Sequence, residues 1–137
     1  MNKYLEIYNG SSITIDLFEY EIRLYPKDTS SPASCISLPH HMLAPGMVYV
    51  VGHPAGTLYV PDQEDSSLTF VGIDALELVD PSLSQVDVIG IIGSAYNFGE
   101  DLTLVRKAWI LSGTTVFDIG EWNQLPLDTH QLGSHTP

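Results

Sequence analysis

The side chains with the clearest potential for chemistry are the five histidines, since imidazole binds transition metals and exchanges protons near neutral pH. His40 and His41 are adjacent and His53 follows them, so these three are the candidate metal ligands, together with a carboxylate. Adjacent side chains on an extended segment point to opposite sides, and the spacing differs from that of paired zinc ligands. We therefore predict no bound metal and no other cofactor.

Carboxylates and nucleophiles form no recognisable catalytic motif. Asp62, Glu64 and Asp65 are closely spaced, but this segment lacks the glycine and the distal glutamate of an EF-hand loop. Cys35 is the single cysteine and has no recognisable partner pattern, and no Gly-x-Ser-x-Gly sequence is present. We therefore predict no catalytic residues and a protein that is not an enzyme.

The charge balance is strongly acidic. The 137 residues include 17 Asp and Glu against 5 Lys and Arg, which gives a formal net charge of −12. A surface that follows nucleic-acid phosphates or an anionic membrane needs clustered basic residues, and Arg106 and Lys107 are the one adjacent pair. We expect neither kind of binding. This charge would favour a basic protein partner, but we expect that the acidity mainly keeps the fold soluble, because no acidic run exceeds a few residues.

The beginning of the chain does not predict a secretion signal, because Lys3 and Glu6 interrupt the apolar residues. A single cysteine cannot form an intrachain disulfide, which is typical of a reducing compartment. We therefore expect a cytoplasmic protein.

The elements that would position these side chains are short strands. The apolar segments 4–8 and 13–17 flank Asn9 and Gly10, a dipeptide favoured in two-residue turns, and predict an N-terminal β-hairpin. Apolar residues then change from odd to even positions near Leu17 and Phe18, which indicates a bulge or bend.

Further apolar segments at 47–51, 57–60, 68–73 and 86–92 are separated by turn residues. The last of these is apolar on both faces and predicts a central strand with Ile89 and Ile91 buried. The segment 101–111 carries signals of both helix and strand, with strand favoured by its neighbour 114–119. The pattern predicts a mainly β fold: a single-domain antiparallel β-sandwich or small barrel with an N-terminal hairpin and at most one short helix.

The predicted domain comprises residues 1–122, and residues 123–137 are predicted to form an extended C-terminal arm because Pro126 and Gly133 interrupt them. The Ser- and Pro-rich segment 26–45 is either a long loop or a strand bracketed by loops, and long loops are often contact surfaces. The residues predicted to contact a partner are Leu38, His40, His41, Leu125, Leu127 and Leu132.

These observations favour a non-enzymatic protein-binding or assembly module, as a subunit of a homo-oligomer or of a larger multi-protein assembly. An alternative is an acidic inhibitor, such as an anti-defence or immunity protein, that occupies a basic site on a nuclease or nucleic-acid-binding protein. A second alternative is a small metal-dependent enzyme that uses His40, His41 and His53.

Overall fold

A computed structural model describes residues 2–135 as short strands joined by turns. Strands make up 34% of the chain, and no helix of seven or more residues occurs in this range. In chain order the elements are β1 (Tyr4–Tyr8), β2 (Ile15–Asp16), β3 (Glu21–Tyr25), β4 (Ser34–Ser37), β5 (Met42–Leu43), β6 (Val48–Gly52), β7 (Gln63–Glu64), β8 (Ala75–Val79), β9 (Gln85–Ile89), β10 (Leu102–Arg106), a 3-10 helix (Ile119–Glu121) and β11 (Trp122–Pro126).

The strands form four sheets. The largest has the order β4-β3-β8-β9, with antiparallel neighbours throughout. A second has the order β1-β6-β7, in which β1 and β6 are antiparallel and β6 and β7 parallel. The pairs β2-β5 and β10-β11 are both antiparallel. The prediction of a mainly β, antiparallel fold is confirmed, and the arrangement is compatible with a β-sandwich.

The core follows from the two-residue period of the strands. On β3, Ile22 and Leu24 are buried, whereas Glu21 and Arg23 beside them remain partly exposed. The same buried cluster includes Leu38, which is 2% exposed. Its N–H donates to the carbonyl of Tyr20, which continues the β3-β4 pairing by one residue, so Leu38 lies on the same buried face as Ile36. The prediction that Leu38 contacts a partner is therefore wrong.

The predicted N-terminal hairpin is also wrong, because β1 pairs with β6 and β2 pairs with β5. The reason lies in Asn9, which is 3% exposed and is not part of a two-residue turn between paired strands. Its Nδ2 donates to the carbonyl oxygens of Ile13 and Leu43, each at 2.8 Å, and its Oδ1 accepts from the N–H of Ser11. Asn9 thus joins the loop after β1 to the end of β5.

The predicted change of direction near Leu17 and Phe18 is confirmed as a turn. The N–H of Tyr20 donates to the carbonyl of Leu17 at 3.0 Å, and Glu19 has a φ of 65°. Since β3 begins directly after this turn, the inward positions become even-numbered.

The segment 86–92 does not form a central strand. β9 ends at Ile89, at the edge of the four-stranded sheet, and Ile91 is 49% exposed, whereas Ile89 packs partly buried against the core. The chain leaves the sheet at Gly90, whose φ of 85° suits glycine. The ring of Phe98 lies where a side chain at Gly90 would begin.

The remaining segments differ in their outcome. The ambiguous segment 101–111 contains strand β10, as favoured, whereas 57–60, 68–73 and 114–119 contain no strand. The sequence pattern does not predict β8, because its apolar residues flank Glu77 without alternating. Within the segment 26–45, β4 and β5 are bracketed by loops. Of the two predictions for this segment, the observed one is therefore strand structure bracketed by loops, and not one long loop.

The predicted boundary after Trp122 falls inside a strand. Residues 122–126 form β11, which pairs with β10, so residues 123–126 belong to a sheet and not to an extended arm. The first residue of the predicted domain, Met1, and the last two of the predicted arm, Thr136 and Pro137, lie outside the described residues.

We predict that Asn9→Ala lowers the free energy of unfolding by about 2–3 kcal/mol, because it removes the buried hydrogen bond to the carbonyl of Leu43 and the bonds to Ile13 and Ser11 that hold the loop. Urea denaturation measures the change. The control is Asn97→Ala, which removes an exposed amide that bonds to Glu100 and should cost less than about 1 kcal/mol. Equal losses in the two variants would contradict the role assigned to Asn9.

Candidate functional site

A cleft of about 860 Å³ lies between β1, the β8-β9 pair and β10. The buried side chains of Ile22, Leu76 and Val88 contribute to its lining and make that part apolar. This volume is within the range of ligand pockets in proteins. The cleft is therefore the candidate binding site.

One wall of the cleft is β1, whose hydrogen bonds to β6 involve alternate residues. Directly before β1, the carbonyl of Lys3 accepts from the N–H of His53 at 2.9 Å. Directly after it, the N–H of Asn9 donates to the carbonyl of Met47 at 3.0 Å. Because backbone groups alternate in direction along a strand, the odd-numbered residues of β1 bond to β6.

The even-numbered residues of β1 therefore direct their N–H and C=O groups away from β6. These residues are Tyr4, Glu6 and Tyr8, and all three line the cleft. Their backbone groups have no hydrogen-bond partner within residues 2–135. β1 thus presents an unpaired strand edge to the cleft.

A second unpaired edge belongs to β10. The N–H of Lys107 donates to the carbonyl of Glu121 at 2.8 Å, so the odd-numbered residues of β10 face β11. The backbone N–H and C=O groups of Leu104 and Arg106 point away from β11 and have no partner in the described part of the chain. Both residues line the cleft.

The guanidinium group of Arg106 holds β10 in place. It binds both carboxylate oxygens of Asp87 on β9, with Nη2 to Oδ1 at 3.1 Å, and it approaches Oε1 of Glu121 at 3.3 Å. The guanidinium carbon lies 4.7 Å from the ring centre of Trp122, a cation–π contact. Arg106 therefore connects β9, β10 and β11.

The cleft is electronegative, since seven carboxylates and two cations line it. Glu77 accepts hydrogen bonds from the Tyr25 hydroxyl at 2.8 Å and from Gln85 at 2.7 Å. Burial, with the Glu77 carboxylate adding to it, raises the pKa of Tyr25. Burial also raises the pKa of Glu6, against the opposing effect of a hydrogen bond from the N–H of Gly133.

The C-terminal segment packs on its own domain beside β1. The N–H of Gly133 donates to Oε2 of Glu6 at 2.7 Å, and the His135 ring lies 4.4 Å from that of Tyr8. Leu132 and His135 also line the cleft. Residues 127–135 therefore follow the domain surface after β11.

The leucines predicted to contact a partner lie in three settings. Leu125 is half-buried on β11, Leu127 is 57% exposed, and Leu132 is half-buried in the lining of the cleft. Their contact with a partner stays a prediction.

His40 lies on an exposed surface outside the cleft. Its Nδ1 is 2.9 Å from Oδ2 of Asp16, and its ring stacks on Phe18 with centroids 3.8 Å apart. The hydrogen bond with His40 lowers the pKa of Asp16.

The other two candidate metal ligands have different neighbours. His41 packs against the ring of Tyr49, and Nδ1 of His53 accepts from the N–H of Ala55. Within residues 2–135, no group of three or more His, Cys, Asp or Glu side chains is arranged to hold a metal ion. His40, His41 and His53 are thus not brought together.

The residues of the two free edges are missing from the predicted contact residues. The alternation in 4–8 indicates a strand, but no residue type shows whether that strand is paired on one side or on both. The pairing of β1 depends on β6, whose residues lie 40 to 48 positions further along the chain. That separation is the reason the sequence gives no signal for this site.

Comparison of the chain with protein-family models, with curated proteins and with solved structures gives no match. None of the helices within residues 2–135 is long and apolar enough to cross a bilayer.

We predict that Glu6→Gln raises the melting temperature at neutral pH by up to about 5 °C. Because the pKa of Glu6 is raised in the folded protein, folding favours the neutral carboxyl. The stability that this neutral carboxyl contributes is present at low pH and is lost as the pH rises through the folded-state pKa. Glutamine is uncharged at every pH and can still accept from Gly133. The difference in melting temperature between Glu6→Gln and the unchanged protein should therefore disappear well below pH 4.5, the ordinary pKa of glutamate.

The matched control for this prediction is Glu64→Gln, which changes the net charge equally at an exposed position on β7. Thermal melts at both pH values compare the variants. An equal rise in both would indicate relief of the overall negative charge, and a fall in Glu6→Gln would show that the Gly133 hydrogen bond outweighs burial.

Proposed function

We propose that this chain is a non-enzymatic protein-binding module of an assembly, and that it receives an extended segment of a partner polypeptide in the cleft. The observation that supports the proposal is that two unpaired strand edges, those of β1 and β10, line one cleft. Exposed edges are templates for an added strand, whose backbone supplies the missing hydrogen bonds.

The energetics favour this kind of ligand. Backbone N–H and C=O groups that lose water without gaining a partner cost free energy, so a ligand that covers these edges has to pair with them. An extended segment satisfies this requirement, because the backbone N–H and C=O groups of every second residue point toward the open edge. Its side chains then contact the apolar lining of the cleft, where each buried aliphatic residue contributes about 1.5–3 kcal/mol before the entropy of ordering is subtracted.

The partner is either another protein or a second copy of the chain, which would give a homo-oligomer. Direct binding to nucleic acid or to a membrane is not part of the proposal, since the net charge of −12 repels anionic polymers and surfaces. A cytoplasmic location likewise stays a prediction from the sequence.

The net charge of −12 also favours a second candidate function, that of an acidic inhibitor of a basic site. Such an inhibitor would bind through carboxylates spread over its surface, whereas strand addition depends on the β1 edge. Neutralising exposed acids outside the cleft should weaken the inhibitor and leave strand addition unaffected.

We predict that amide exchange in the free protein alternates along β1. The amides of Leu5 and Ile7, which face β6, should exchange at least about 100-fold more slowly than those of Glu6 and Tyr8, which face the cleft. NMR-detected hydrogen exchange measures these rates. The amide of Val50 is an internal control on the neighbouring strand, because it donates to Oδ2 of Asp62 at 2.8 Å and should be protected.

Slow exchange at Glu6 and Tyr8 in the monomeric protein would mean that the β1 edge is already paired. That result would overturn the proposed function.

A further inference from the structure

We infer that the segment received in this cleft is basic, with apolar and positively charged residues in alternation. The inference rests on the proposed function and adds the chemistry of the partner. It follows from the two faces of β1 and from the charges along the cleft.

The two faces of β1 differ in character. Leu5 and Ile7 pack against the core cluster. Tyr4, Glu6 and Tyr8 lie on the opposite face, where Glu6 bonds to Gly133 and Tyr8 packs on His135. Neighbouring strands in a sheet place their side chains on the same two faces. An added strand therefore has one set of side chains beside the apolar core and the other beside Glu6.

The carboxylates of the cleft determine the preferred charge of that second set. Asp87 is paired with Arg106, but Glu6, Glu100, Asp101 and Asp128 form no ion pair within residues 2–135. A cation beside Glu6 is attracted, and an anion there is repelled.

A second copy of this chain is a poor source of such a segment. The sequence contains five Lys and Arg residues, and no stretch alternates them with apolar residues in the required way. Two copies would also each bring a net charge of −12. The preferred occupant is therefore a different, basic protein, with backbone pairing providing affinity and charge providing selectivity.

The test uses the full chain and blocked synthetic peptides of about seven residues, a typical strand length. One peptide alternates Val with Lys and another alternates Val with Glu. Two further versions of the Val–Lys peptide carry N-methyl groups, on the Lys amides in one and on the Val amides in the other. Fluorescence anisotropy of labelled peptides measures Kd at low and high salt.

The Val–Lys peptide should bind at least about tenfold more tightly than the Val–Glu peptide, and salt should weaken its binding. At least one of the N-methylated versions should lose binding, because strand addition needs the peptide's own N–H groups. Glu6→Gln should weaken binding of the Val–Lys peptide about two- to fivefold, whereas the exposed control Glu64→Gln should leave it unchanged.

Two failures are distinguishable. Equal affinity for the Lys and Glu peptides, with binding lost on N-methylation, would overturn the basic-segment inference and leave strand addition in place. Undiminished binding of both N-methylated peptides would overturn strand addition itself. Absence of binding by the Val–Lys peptide up to about 1 mM would also overturn the inference, and amide exchange along β1 would then decide the proposed function separately.

Discussion

The far wall of the cleft depends on one guanidinium group. Arg106 binds Asp87 through two guanidinium nitrogens and lies over the ring of Trp122. The ammonium group of a lysine could not make both contacts, because it is not planar and has a single nitrogen. β10 pairs along its backbone with β11 alone. A side chain, and not a ladder of backbone hydrogen bonds, therefore holds β10 beside β9. Since the backbone groups of Arg106 itself face away from β11, the same residue fixes the strand and leaves its edge open.

The open edge of β1 contrasts with the opposite side of its own sheet partner, β6. The outer edge of β6 is covered, because Val50 exchanges hydrogen bonds with both the backbone and the side chain of Asp62. Proteins commonly cover or shorten exposed edges to prevent unwanted pairing. The open backbone groups of Tyr4, Glu6 and Tyr8 are consistent with a surface kept available for a partner.

Local patterns in the sequence identify much of the strand content but little of the pairing. The alternation around Ile22 and Leu24 and the parity change before them both follow from contacts within a few residues, and both are found in the structure. The Asn9-Gly10 dipeptide predicts a hairpin because both residues tolerate the positive φ of a two-residue turn. In the fold the Asn9 side chain reaches Leu43, far along the chain, and the hairpin is replaced by distant pairings. The candidate site is harder to predict from the sequence, because an edge is open only where no other strand of the fold lies beside it.

The position of Glu6 explains how an open β1 edge can avoid pairing with the same edge of a second copy. Edge strands are often protected by a charge placed within them, because a second identical edge then brings two like charges together. Glu6 is the middle residue of β1 and half-buried, so two β1 edges pairing in antiparallel register around it would oppose two carboxylates. The same charge that disfavours pairing between copies favours a partner carrying Lys or Arg at that position. Under the proposed function, Glu6 therefore both disfavours pairing between two β1 edges and selects a basic partner segment.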